Sequence, residues 1–160
     1  MNHFPSAAHG SQHALLQDWQ ALMRSGLDAS RSHAPAQARA HYLHALAIAR
    51  QLLAGPPGDV ADDDRVAAFV VTHLNLAESL ADSGQPAAAV AYLCGAHRTL
   101  MQLLRDTASP APLQMAACRH SRETHAALIG HWAEHGAHPE IMDALRDGCM
   151  PFPPQGAFVH

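Results

Sequence analysis

The chain contains no lysine; all ten basic residues are arginine. Aromatic residues make up only 5%, and β-branched residues are sparse, which argues against a sheet protein. The three cysteines, Cys94, Cys118 and Cys149, show no C-x-x-C spacing. Neither a redox pair nor a thiolate metal site is expected, and an odd count suits a reducing compartment. No apolar run approaches the ~18 residues of a membrane helix. The opening residues 1–6 carry no basic region followed by an apolar one, so a cytoplasmic chain without a membrane partner is expected. A net charge of −4 with neutral histidine excludes the basic footprint of a nucleic-acid binder. Catalytic motifs are also missing: there is no G-x-S-x-G, phosphate loop or carboxylate pair. The segment His131-Trp132-Ala133-Glu134-His135 lacks the Glu that a zinc protease carries directly after its first His. No catalysis and no cofactor are expected.

What remains is abundant. Apolar residues reach 48% of 160, and 33 are alanine, the best helix former. The length suits one domain. An all-α fold follows, with residues 1–11 disordered, a helical domain over 12–148 and an extended apolar tail over 149–160. Leu15, Leu16, Trp19, Leu22 and Met23 predict a helix over 12–24, followed by a loop from Gly26 to Pro35. A second helix is predicted over 36–53, ended by Gly55-Pro56-Pro57-Gly58. Asp62, Asp63 and Asp64 then offer an acidic first turn to a third helix that runs to about Ser83. On it Val66, Phe69, Val70, Leu74, Ala77, Leu80 and Ala81 share one broad face. A fourth helix is predicted over 86–105, a fifth over 113–135 and a short sixth from Pro139 to Gly148. The tail holds Phe152, Phe158 and three prolines, and is expected to pack on its own chain or a neighbouring one.

The most patterned stretch runs from Thr72 to Met101. Two apolar periodic runs flank Ser83-Gly84-Gln85-Pro86, which predicts an antiparallel helical hairpin. Gly84 suits a left-handed helix end, and Pro86 suits a first helical position. Small Ala77 and Ala89 allow close approach, beside Leu76, Leu80, Leu93 and Ala96. A period is also present. Leu76, Leu80 and Gly84 recur 52 residues later as Leu128, Trp132 and Gly136, while Ala89, Leu93 and Ala96 recur 51 residues earlier as Ala38, Tyr42 and Ala45. In the first hairpin Gly26 lies twelve residues before Ala38, against five between Gly84 and Ala89, so a longer turn is expected there. Six helices in three stacked hairpins are the outcome.

The residues Leu76, Ala77, Leu80, Gly84, Ala89, Leu93 and Ala96 resemble the signature of the tetratricopeptide repeat family. The period exceeds the family's usual ~34 residues, so the chain resembles a divergent member, a short α-solenoid. The resemblance implies a protein-interaction module whose first helices, about 12–25, 64–83 and 113–135, form a concave groove for a protein segment. A second copy of the chain is another possible partner. Asn75 stands where such repeats contact ligand backbone, with Val71, Leu74 and Glu78 beside it. The matching position in the third hairpin is Ala127. Members that grip a carboxylate do so with lysines, absent here; Arg65, Arg119 or Arg122 could substitute. Some secretion chaperones are built from three such repeats, which makes that a further reading.

Fourteen histidines support another alternative, a metal-binding or metal-sensing protein. His131 and His135 lie four apart on one helix, a spacing that can chelate zinc, nickel or copper. His120 lies three turns earlier on the same face, and His138 follows in the turn. These supply too few ligands for a structural zinc site, so no metal is expected. His73 falls within the apolar face of the third helix and is expected to be a hydrogen-bonded core residue.

Overall fold

The computed structural model describes residues 7–148, with side chains from Gln12 to Asp147. Six helices follow one another: α1 (Ala7–Arg31), α2 (Pro35–Ala54), α3 (Asp62–Asp82), α4 (Pro86–Arg105), α5 (Ala111–His135) and α6 (Pro139–Gly148). Among the described residues there is no strand. The helices form three hairpins. Each helix packs on its successor, and α3 and α4 of the central hairpin also reach α5 and α6 of the third. Proline occupies one of the first two positions of α2, α4 and α5 and opens α6. There the missing N–H is one that no helix bonds internally. The expected tail, with Phe152 and Phe158, lies outside the described residues.

The first hairpin differs from its expected form. Residues 7–11, expected to be disordered, belong to α1, and α1 continues through Gly26 to Arg31. Gly26 is no helix end. A Cβ built there would lie 2.4 Å from Cε1 of Tyr42 on α2, so the absent side chain makes room for the ring. The chain turns instead at His33, with φ 57°. Such a conformation is uncommon outside glycine. His33 therefore stands five residues before Ala38, as Gly84 (φ 77°) stands five before Ala89. The expected longer turn does not exist. The left-handed turn residues His33, Gly84 and Gly136 (φ 90°) follow one another at intervals of 51 and 52 residues.

Contacts between hairpins span slightly longer separations. Trp19 Nε1 of α1 donates to Thr72 Oγ1 of α3 at 2.8 Å, 53 residues on. Asp63 of α3 meets Arg119 and His120 of α5, 56 and 57 residues on. The first helices α1, α3 and α5 thus run parallel, with α3 packed closely on α5 and α1 meeting α3 at few points.

The core is lined by small residues. Ala38, Ala45, Ala49, Ala68, Ala89, Ala96, Ala117 and Ala144 are fully buried at 0% exposure. Around them pack Leu46, Leu76, Phe69, Leu100, Leu128 and Ile141. The seam residues Ala77, Leu80 and Leu93 are buried as their spacing predicts. Ile141, which replaces a small residue in the third hairpin, is buried on α6 beside Leu128.

Among the described residues one charged side chain, that of an arginine, sits inside. Arg65 is 2% exposed. Its Nε donates to Leu52 O at 2.8 Å, its Nη2 donates to Leu53 O and Gly55 O, and its Nη1 reaches Asp62 Oδ1 at 2.7 Å. The last turn of α2 has no basic residue of its own. A guanidinium from α3 fills that place, satisfying carbonyls that a helix end leaves unpaired and opposing its negative dipole. Arg65 is therefore closed off from any ligand carboxylate.

Candidate functional site

The parallel first helices expose a shared face, with α3 at its centre. Three openings lie along its C-terminal half. The first, about 360 Å³, separates α3 from α5 over a floor of Ala77, Leu93 and Ala127. Its walls include Leu74, Glu78, Asp82, His131, Glu134 and His135. The second, about 160 Å³, lies between the first hairpin and α3 and is lined by Leu27, Ser30, Tyr42, Asn75, Glu78, Ser79 and Asp82. The third, about 510 Å³, continues over the turn past Ser30, His33, Pro35, Ser79 and Ser83. Asp82 borders all three and Glu78 the first two, so the openings adjoin one another across α3 as a grooved face.

The structure divides the four predicted partner-binding residues. Leu74 and Glu78 line the α3–α5 opening, and Asn75 and Glu78 line the one beside α1. Val71 is half-buried and packs against the core group of Met23, Tyr42 and Leu76. Asn75 Nδ2 donates to Val71 O of its own helix at 2.8 Å. Its Oδ1 has no partner among the described residues. Asp82 continues the stripe of Asn75 and Glu78 at helical spacing, a signal legible in the sequence but not used. Tyr42, Ser30 and Ser79 carried no such signal, because Tyr42 sits on an α2 face that reads as core.

The groove is negative. Glu78 and Asp82 are exposed and have no ion-pair or hydrogen-bond partner among the described residues. No arginine lines any of the three openings. Arg39 Nη1 donates to Ser83 Oγ at 2.8 Å at the outer rim. Tyr42 is 2% exposed, and its hydroxyl has no hydrogen-bond partner among the described residues. Burial first, and then the Glu78 carboxylate, push its pKa up, so the phenol keeps its proton.

The histidines separate into groups. His131 and His135 are neighbours, with ring centroids 4.5 Å apart. Burial, followed by the charge of His135, lowers the His131 pKa. His138 joins them around a smaller opening at the start of α4. His120, three turns earlier on α5, also faces α3 but lies away from that cluster. Its Nε2 lies 3.1 Å from Asp63 Oδ1 and its Nδ1 2.9 Å from Glu123 Oε1. Both bonds form together only when both ring nitrogens carry protons. Among the described residues no group of three or more His, Cys, Asp or Glu is placed to hold a metal ion. Arg119 is paired with Asp63 at 2.7 Å, and Arg122 is exposed.

Two further histidines belong to the core. His73 is 3% exposed; its Nδ1 donates to Phe69 O at 2.7 Å, and burial lowers its pKa. His97 of α4 lies 2.8 Å from Thr124 Oγ1 of α5. The Thr124 hydroxyl donates to Ser121 O, so it accepts from His97 Nδ1. His97 Nε2 is buried without a partner. Burial, and then nearby His125, lower the His97 pKa.

Comparison with known proteins places residues 17–152 in a match to a family described as a protein of unknown function, DUF2753. No curated protein and no solved structure matches the chain.

Proposed function

We propose that this chain, which belongs to the DUF2753 family, is a non-catalytic interaction module resembling a short tetratricopeptide array. It would act in the cytoplasm and hold a segment of a protein partner, or of a second copy, across its first helices. The observation that carries this reading is the groove itself, which crosses α1, α3 and α5 and has α3 at its midpoint. A segment lying there meets Leu74 as an apolar contact, and Asn75 Oδ1 and Glu78 as acceptors. The metal-binding alternative is weaker, because His120 stands apart from His131, His135 and His138.

The test begins with capture of partners by the full chain from its native cells, followed by affinity measurement with the purified partner. Asn75→Ala should weaken binding by roughly 1–3 kcal/mol, the cost of leaving a buried partner group unpaired. Thermal stability should change little, since the bond from Asn75 to Val71 lies within a single helix. Unchanged affinity would move the partner to another surface. A fall in stability with no specific loss of affinity would make Asn75 structural.

A further inference from the structure

The opening between the first hairpin and α3 has an unusual chemical balance. Nearly every free polar group around it accepts hydrogen bonds. Glu78 and Asp82 are unpaired carboxylates. Asn75 has committed its amide nitrogen to Val71 O and offers an oxygen. Ser30 and Ser79 supply hydroxyl oxygens. The last turns of α1 and α3 both end here, and their C-terminal carbonyls add negative potential. The basic residue of α1's last turn, Arg31, is 78% exposed and leans towards Asp28 at 3.8 Å. It does not line the opening, although its charge reaches Tyr42 and partly offsets Glu78 there. Tyr42 adds an independent sign. Its side chain is 98% buried, lines this opening, and has a hydroxyl without a partner among the described residues.

An acceptor-rich, negative opening of about 160 Å³ is too small for a chain segment and suits one side chain. We propose that it receives the guanidinium of an arginine carried by the docked segment. This deepens the groove reading and rests on it. Guanidinium has five donors in a planar fork and pairs with carboxylates through parallel bonds. Glu78 and Asp82 stand one helical turn apart on α3. They can meet it from one side, with Tyr42 Oη and Asn75 Oδ1 completing the donors on the others. A lysine ammonium has three donors and no fork, so it would leave some of these acceptors unpaired. The unpaired hydroxyl of Tyr42 is thus an acceptor that the incoming guanidinium completes.

The experiment uses the full ¹⁵N-labelled chain and three small probes, capped arginine, capped citrulline and capped lysine, titrated at physiological salt. Capped arginine should shift amides around Tyr42, Asn75 and residues 78–82 with a Kd of about 1–10 mM, as expected for so small a ligand. Citrulline keeps the shape and loses the charge, so it should bind at least about tenfold more weakly. Lysine should also bind more weakly than arginine. Glu78→Gln combined with Asp82→Asn should abolish the arginine shifts. Tyr42→Phe should weaken them about two- to fivefold with an unchanged Tm, a split that a purely structural phenol would not give. Equal binding of citrulline, equal binding of lysine, or shifts confined to other surfaces would each overturn the assignment. None of these results touches the groove reading, which stands or falls on the Asn75→Ala affinity for the captured partner.

Discussion

At the first link the guanidinium of Arg65 closes the end of α2, and Trp19 and Arg39 add bonds to Thr72 and Ser83. At the other end of the array, polar ties from the central hairpin to α5 run from His97 to Thr124, and from Asp63 to both His120 and Arg119. Among these groups, burial lowers the pKa of His97 below the ordinary imidazole value. The two joints also pack differently: α3 meets α5 extensively and α4 meets α6, whereas among the described residues α1 barely touches α3 and α2 does not reach α4. The two glycines differ in setting: Gly26 is buried and pressed against the Tyr42 ring, whereas Gly130 on α5 is exposed and a Cβ there would meet nothing within 4 Å.

The largest effect should come from Arg65→Ala. It removes the partner of three carbonyl oxygens and of Asp62 in a buried setting, and should cost roughly 3–5 kcal/mol in urea unfolding. Arg119→Ala, at an exposed pair on α5, should cost under about 1 kcal/mol. Comparable losses would erase the contrast between the joints.

A middle-sized effect is expected at the two glycines. Gly26→Ala should destabilise by roughly 1–3 kcal/mol through overpacking. Gly130→Ala should stabilise by roughly 0.5–1 kcal/mol through helix propensity. Tyr42→Leu should rescue Gly26→Ala, because 51 residues on Ala77 and Leu93 share one core group in the second hairpin. A double-mutant cycle with no coupling would show that the ring and the glycine are independent.

The smallest effect is one of pH. His97 has a pKa lowered below the ordinary 6.5, so the unfolded chain binds more protons than the folded one below that value. Its contribution to stability is fully present above pH 6.5 and is lost as pH falls towards the folded pKa. The His97→Gln variant should therefore show a smaller drop in unfolding free energy between pH 7.5 and 5.5 than the unsubstituted protein. An equal drop would place the acid sensitivity at other groups.

The six helices were legible because apolar periodicity and proline punctuation agree over most of the chain. The first hairpin was not. A glycine after an apolar run reads as a helix end, but Gly26 is small because of a ring 16 residues away in sequence. The left-handed turn went to His33, a residue type that advertises no such role. Arg65 was equally opaque. As one of ten arginines its type says only that it is charged, and its partners are carbonyls of residues 52–55, which no local pattern reveals. The His131–His135 pair was readable because helical neighbours four apart must meet. His120 shares that face of α5, but helical spacing alone does not say which neighbour lies opposite, and there it is Asp63. Of the groove, the α3 stripe was readable, while Tyr42 required knowing that the first hairpin packs on α3.

The alanines buried at the helix crossings carry a consequence for how this sequence can change. A core of large side chains is damaged mainly by truncation, through the cavity left behind. Positions such as Ala38, Ala89 and Ala96 have only one methyl to lose and stand fully buried. Added volume there must push helices apart or force side chains off their rotamers. Shrinkage is limited to glycine, at a helix cost of roughly 0.5–1 kcal/mol, while enlargement must be matched by shrinkage across the crossing, as the Gly26–Tyr42 pair already illustrates.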